Sequence, residues 1–445
     1  MKETESIARL KAGPPRILVI GGGAGGLQLV SRLAKRLARK GLAEVVLVDE
    51  ALSHVWKPSL HEYAAGTKGS DVEISFLEHA NRNGYSFRLG RFAGVDFSAR
   101  LVRLDPVRDA EKALIAPAQE IGYDYLVFAI GSRSNDFGCK GVADHCWFLD
   151  TPAQARRLQS ELLNLCLRFE TGVFGAEKLD LNVCVVGGGA TGVELSAELR
   201  EATEQLGLHG IDKLRAPQSF NITLLEAGPR LLAALPEEIA QKVSEKLDGI
   251  EVEVRTGAMV SEVRKDAVIL KDGTRLPSEM TIWAAGIKAP EVLNDPNAFP
   301  TGSLGRLRVA PTLQLEGHED VFAMGDCAEC EWQDMNMALP PRAQVAAQQA
   351  HFLSNQLIRA IENRSLEPFQ YVDRGSLVSI ANSSAVGAFM GKAFGTFTIE
   401  GWFARMSYRY LHFAHESAVQ GWFRAGLRLL VSKAMKRIRP QLKLH

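Results

Sequence analysis

Two glycine-rich segments, each set between an apolar run and a helix-patterned stretch, constrain this chain more than any other feature. The first follows Ile17-Leu18-Val19-Ile20 and reads Gly21-Gly22-Gly23-Ala24-Gly25-Gly26, a G-x-G-x-x-G at Gly21, Gly23 and Gly26. From Leu27 to Ala38 the leucines 29, 33 and 37 recur at helical spacing. Val45-Val46-Leu47-Val48 then reads as a buried strand and ends in Asp49-Glu50. Strand, glycine turn, helix, strand and terminal acid in this order make a dinucleotide-binding βαβ unit. The glycines let backbone approach a pyrophosphate, and the helix N-terminus supplies N–H donors and a favourable dipole. Asp49 stands where the ribose hydroxyls are expected.

The second segment repeats the pattern about 165 residues later. Val183-Cys184-Val185-Val186 leads into Gly187-Gly188-Gly189-Ala190-Thr191-Gly192, with Gly187, Gly189 and Gly192 in the motif positions. A helix is expected from Val193, and Ile222-Thr223-Leu224-Leu225 ends in Glu226. Residues 206–218 read as a loop insertion that lengthens the interval to the acid. A carboxylate at 226 accepts hydrogen bonds from a ribose 2′-OH and repels a 2′-phosphate, which favours NADH over NADPH. Two such units imply two nucleotides. A resident flavin, FAD, beside an exchanging NADH is the natural pair, because a flavin turns a hydride into electrons for another acceptor.

At 445 residues the chain has room for two or three domains. Its 52 basic and 52 acidic residues balance, so no nucleic-acid partner is expected. The N-terminus has no apolar leader pattern, and no apolar run reaches the length of a transmembrane helix. The six cysteines are scattered and read as thiols rather than a disulfide framework. Cys327 and Cys330 form a lone C-x-x-C, weak as a metal signature, so no metal is expected. The C-terminal segment departs from neutrality: from Gly401 onward Glu416 is the only acid among nine Lys and Arg. Phe423, Leu427, Leu430, Val431, Ala434 and Ile438 fall on one helical stripe, with Arg424, Arg428, Lys433 and Lys436 elsewhere. A basic amphipathic helix preceded by aromatics is expected to lie on an anionic lipid surface. The same pattern also suits a helix packed on the domain with its basic side in water.

Further signatures join these. Tyr123 to Gly131 is similar to the strand that returns to the flavin domain in the two-dinucleotide-binding-domain flavoproteins, the superfamily of glutathione reductase. Val321-Phe322-Ala323-Met324-Gly325-Asp326 resembles the strand whose Asp contacts the flavin ribityl chain, and Trp283-Ala284-Ala285-Gly286 the matching strand end of the NADH domain. Leu339 to Gln349, with Ala343-Gln344 and Gln348, resembles the A-Q-x-x-x-Q segment of the bacterial type II NADH dehydrogenases, as do His54 to Glu62, Gly375 to Ile380 and the tail from Arg439. Unlike the disulfide reductases of this superfamily, residues 50–70 hold no cysteine.

The resemblance implies an α/β protein with two Rossmann-like domains and a C-terminal membrane-associating region. FAD-binding segments are expected at 14–150 and 301–365, an NADH-binding domain at 151–300, and the C-terminal domain at 366–445. It implies an FAD-dependent NADH:quinone oxidoreductase that does not pump protons. It further implies a peripheral place on the cytoplasmic face of the inner membrane, a ubiquinone-like acceptor and a homodimer. Glu194 is read as a first-turn residue of the second helix, able either to serve near the meeting point of flavin and nicotinamide or simply to complement the helix dipole. Gln344 and Gln348, four apart, share a helix face from which neutral amides can meet a quinone carbonyl, or form an ordinary polar face. Lys57 is placed near the flavin by resemblance only. The competing readings are a same-fold reductase of a ferredoxin-like protein, a sulfide:quinone oxidoreductase, and a non-catalytic NADH sensor.

Overall fold

A computed structural model of the chain describes residues 13–67, 73–109, 111–175, 177–332, 335, 337–380, 384–391 and 395–427. In chain order, the first part supplies β1 (Arg16–Ile20), α1 (Ala24–Arg36), β2 (Glu44–Asp49), α2 (Leu60–Ala65), β3 (Ser86–Leu89) and β4 (Tyr125–Phe128). The middle supplies β5 (Cys146–Phe148), α3 (Pro152–Glu170), β6 (Leu181–Val186), α4 (Ala190–Leu208), β7 (Phe220–Leu225), β8 (Val252–Arg255) and β9 (Met280–Trp283). The last part supplies β10 (Val321–Ala323), α5 (Ala343–Ile361), β11 (Ser376–Ile380), β12 (Ser384–Gly391), β13 (Gly395–Glu400) and α6 (Gly401–Gln420).

The chain divides into two units, neither of them continuous in sequence. The first comprises Met1–His54, Glu73–Arg133 and Lys288–Tyr371; the second comprises Val55–Val72, Ser134–Ile287 and Val372–His445.

The first unit is built on a parallel sheet in the order β10-β4-β1-β2-β3. Ile17, Leu18 and Val19 of the central strand have no exposed surface, as expected where a parallel sheet is covered on both faces. Helices α1 and α5 pack along one another. The second unit repeats the plan, with a parallel sheet in the order β5-β9-β6-β7-β8. Here α3 begins on a capping box, Thr151 accepting from the Gln154 amide while Gln154 reaches back to the Thr151 amide. Helix α2 packs against α3 and α4, and β11 lies against α4. The strands β11, β12 and β13 form an antiparallel meander on which α6 packs.

Both glycine-loop helices begin earlier than their apolar spacing suggests. Helix α1 starts at Ala24 and ends at Arg36, and α4 starts at Ala190 instead of Val193. Their first turns contain Gly25, Gly26 and Gly192, residues of low helix propensity that hide the start from a periodicity argument. The stretch 206–218 read as a loop begins inside α4, which runs to Leu208, and then makes two short 3-10 turns, at Asp212–Arg215 and Pro217–Ser219, the second reaching one residue past it.

Among the described residues no helix is long and apolar enough to cross a membrane. Tyr410 on α6 and Trp422, Phe423 and Leu427 just beyond it are exposed, and the Trp422 and Phe423 rings meet edge to face. The rest of the expected basic stripe, from Arg428 onward, lies outside the described residues.

Candidate functional site

The first glycine loop closes around its own backbone. Gly21 adopts φ +102°, and a Cβ there would stand 2.4 Å from the Ala129 carbonyl oxygen. A Cβ on Gly26 would stand 1.9 Å from the Gly21 carbonyl oxygen, so the helix can approach the strand only without one. Gly23, by contrast, faces open space, with no atom within 4 Å of where a Cβ would stand. Helix α1 has no acid in its first turn and no side-chain cap on its N-terminal amides. A pyrophosphate fits this cradle: open on the Gly23 side, lined by N–H groups and at the positive end of a helix.

Asp49 closes the loop from β2. Its Oδ2 accepts from the Gly22 amide at 2.6 Å and its Oδ1 from the Ala51 amide at 2.8 Å. Burial pushes its carboxyl above the ordinary value, and the two backbone donors oppose that shift. Each carboxylate oxygen retains a further lone pair for a ribose hydroxyl. Its neighbour Glu50 is held below the ordinary range by Arg133 and Arg91, both salt-bridged to it, against a desolvation that raises it.

Strand β4 delivers Gly131, at φ +69°, and β10 delivers Asp326. Ser132 Oγ donates to Asp326 Oδ2 at 2.9 Å, and Gln349 Oε1 accepts from the Gly325 amide at 2.7 Å. Gly21, Gly23, Gly26, Asp49, Gly131 and Asp326 therefore gather at the C-terminal edge of one parallel sheet, where open α/β sheets bind ligands. Sequence reasoning missed Ser132 and Gln349. Gln349 sits beside Gln348 in the A-Q-x-x-x-Q segment, but only the structure shows it as the buried one.

Gln344 and Gln348 lie half-buried on α5, one turn apart as expected. Gln344 Nε2 donates to the Tyr371 hydroxyl at 3.1 Å, and the Tyr371 ring meets Trp332 edge on at 5.1 Å between centroids. Cys327 and Cys330 are buried, and burial pushes both thiols up to about 11, far from a reactive thiolate.

The second loop has the same geometry. Gly187 adopts φ +115° against the backbone of Ala285, and a Cβ on Gly192 would stand 1.9 Å from the Gly187 carbonyl oxygen. Gly189 faces open space. Glu226 accepts from the Gly188 amide at 2.7 Å and from the Gly228 amide at 2.6 Å, so one side chain ties both sides of the loop. Gly286 follows β9 at φ +59°, with the ring of the exposed Phe137 where a Cβ would stand. Lys57 is exposed in the 3-10 turn Lys57–Ser59 and belongs to the second unit.

Glu194 is not a first-turn residue. Since α4 begins at Ala190, Glu194 is its fifth residue, and the first turn holds no acid. Its side chain is buried, with Oε1 accepting from the Ser379 amide at 2.9 Å and Oε2 lying 3.4 Å from His61 Nδ1. The helix-dipole explanation of this glutamate loses its geometric basis. His61 lies in the segment from His54 to Glu62, but nothing in that segment's pattern marks it as Glu194's partner.

Comparison with known proteins agrees with this architecture. Residues 15–350 match the family described as pyridine nucleotide-disulphide oxidoreductase. The chain is 38% identical over 444 residues to the type II NADH:quinone oxidoreductase of Haemophilus influenzae, covering 96% of this chain and 99% of that one. It is 30% identical to the Staphylococcus aureus enzyme of the same name, covering 85% and 90%. Among solved structures, NDH2 from Plasmodium falciparum in complex with NADH superposes with a TM-score of 0.80 at 19% identity, over 96% of this chain and all of that one. The sulfide:quinone oxidoreductase of Aquifex aeolicus shares the fold at a TM-score of 0.70 and 16% identity, over 92% of each chain. The chain belongs to the pyridine nucleotide-disulphide oxidoreductases and, among them, to the type II NADH:quinone oxidoreductases.

Proposed function

We propose that the chain holds FAD in the first cradle, oxidises NADH at the second, and passes two electrons to a membrane quinone without pumping protons. The observation that carries this is the duplicated cradle: two open glycine loops, each closed by a carboxylate, in a chain with full-length similarity to enzymes of that name. Bound flavin would supply the exchange of a hydride for electrons. The protein's own residues bind and orient. The loop amides and helix ends hold each pyrophosphate, while Asp49 and Glu226 take the ribose hydroxyls. Glu226 disfavours a 2′-phosphate, so NADH is the donor. Asp326, steadied by Ser132, would hold the flavin side chain.

Gln344 and Gln348 are our candidates for the quinone carbonyls, Glu194 for handling a proton in quinone reduction, and Lys57 for the flavin. We also propose peripheral attachment to the cytoplasmic face of the inner membrane through the C-terminal segment, a ubiquinone-like acceptor, and a homodimer. Exposed Trp422, Phe423 and Leu427 support the attachment.

The test is an anaerobic titration of the purified holoenzyme. NADH should bleach the flavin absorbance, NADPH should do so poorly, and a short-chain ubiquinone should restore it. Bleaching without recovery would remove the quinone from this proposal, and no bleaching would remove the NADH site.

A further inference from the structure

A glycine loop holds a pyrophosphate through N–H groups, and an N–H is aimed only as well as its peptide plane is fixed. In a trans peptide the C=O of one residue and the N–H of the next point in opposite directions. A donor that holds the carbonyl from behind therefore sets the direction of the amide in front.

The second loop carries such a tie. The Gly188 amide donates to Glu226 at 2.7 Å, and the Gly188 carbonyl accepts from the Leu232 amide at 2.8 Å. The Leu231 side chain stands where a Gly188 Cβ would. Gly188 is thus held at both its polar groups, and Gly189, the next residue, faces open space.

Gly22 is the corresponding residue of the first loop. Its amide donates to Asp49 at 2.6 Å, and the Phe76 ring, stacked on Phe87, stands where its Cβ would. A side chain takes the part that the Leu232 amide plays in the second loop. His54 is buried on the two-residue strand Ser53–His54, which pairs antiparallel with Ile74–Ser75 just before Phe76. Its imidazole is hydrogen-bonded to the Gly22 backbone, and that bond favours the protonated ring. The backbone atom is therefore an acceptor, the Gly22 carbonyl oxygen, and a ring N–H donates. Burial above all, with nearby His79, keeps the ring neutral at neutral pH. His79 is itself fixed, its Nδ1 meeting the Tyr85 hydroxyl at 2.8 Å and its Nε2 accepting from the Asn83 amide at 3.1 Å. All of these first-loop residues belong to the first unit.

We infer that His54 is a positioning residue for the flavin: by holding the Gly22 carbonyl from behind, it aims the Gly23 N–H at the pyrophosphate of FAD. A backbone amide does this work in the second loop and no substitution can remove it, whereas in the first loop one side chain does it. The inference rests on the reading that the first cradle holds FAD.

The test titrates flavin-free wild type, His54→Gln and His54→Leu with FAD at neutral pH and records phosphorus-31 spectra of the loaded proteins. His54→Gln keeps an N–H donor and should bind FAD within about threefold of the wild type, whereas His54→Leu leaves the carbonyl without its donor and should bind about tenfold more weakly. The pyrophosphate signals should shift in His54→Leu and stay near the wild type in His54→Gln. If the flavin-free wild type takes up no FAD, the assignment of the first cradle falls and this inference with it. If the wild type binds FAD and His54→Leu either binds it as tightly or leaves the phosphorus signals unchanged, this inference alone is overturned. Equal weakening in both variants also overturns it, because the lost donor is then not the cause. If either variant fails to fold, the nitrogen-15 spectrum of histidine-labelled, flavin-free wild type decides. Its His54 ring N–H should be protected from exchange with water, and free exchange overturns the tie.

Discussion

Gln349 on α5 accepts a hydrogen bond from the Gly325 amide at 2.7 Å, so the turn that presents Asp326 is tied to the helix that carries Gln344 and Gln348. A Gln349→Leu substitution leaves that amide without its acceptor, at a cost of about 1–3 kcal/mol. The flavin should then bind about tenfold more weakly, measured by titrating the flavin-free protein with FAD.

The open and closed glycines of the first loop should respond oppositely. Gly23 has φ −63° and ψ −172°, a backbone alanine accepts, and its Cβ would enter open space. Gly23→Ala should keep the melting of the flavin-free protein within about 0.5 kcal/mol while weakening FAD binding at least about tenfold. Gly26→Ala forces a carbon to 1.9 Å from the Gly21 carbonyl oxygen, and should yield protein with a lowered melting temperature and no flavin absorbance.

Glu226 holds two loop amides in addition to its proposed place at the donor's ribose, so removing its charge should not exchange one donor for the other. Glu226→Ala should lower kcat/KM for NADH about tenfold or more without a compensating gain for NADPH. Steady-state kinetics with both donors checks this, and a clear NADPH gain would show that the loop does not depend on those two hydrogen bonds.

His54 gives a stability that depends on pH. Burial, helped by nearby His79 and opposed by a hydrogen bond with the Gly22 backbone, holds its imidazole down at about 4 from an ordinary 6.5. Between these values the unfolded chain binds a proton that the folded chain refuses, so stability rises with pH across that window. The contribution is complete above 6.5 and is lost as pH falls toward about 4, at up to about 1.4 kcal/mol per pH unit. Thermal melts across this range should show the slope, and His54→Gln should flatten it.

The exposed aromatics beyond α6 should set lipid affinity. Replacing Trp422 and Phe423 together by Ser removes two large apolar side chains that are 77% and 68% exposed. Each contributes about 1.5–3 kcal/mol when fully buried. Co-sedimentation with vesicles rich in anionic lipid should fall at least about tenfold, while binding unchanged by the double variant would place the attachment elsewhere.

The cradles were legible in the sequence because their constraint is local. Gly21 and Gly187 need a positive φ, Gly26 and Gly192 need to lack a Cβ, and the strands on either side are unbroken apolar runs. The helix starts were not, since glycines in a first turn look like loop. The distinction between Gln348 and Gln349 escaped too, because adjacent positions differ only in how the helix is rotated against its neighbours. His61 and Glu194 meet from distant segments, and Ser379 from a third. The grouping of residues 55–72 with the second unit likewise has no local signature.

The sheet of the first unit also sets an order of assembly. Its edge strand β10 pairs with β4 through Leu126 and Val321, about 195 residues apart. At roughly 5–20 residues per second of synthesis, β4 waits some 10–40 seconds on the ribosome for its neighbour. During that interval one flank of a Val/Ile/Leu-rich sheet is an unpaired template for foreign strands. Most of the second unit is made within the same interval. Slow translation through residues 134–287 would therefore show first as aggregation of the first unit and not of the second unit, whose synthesis was delayed.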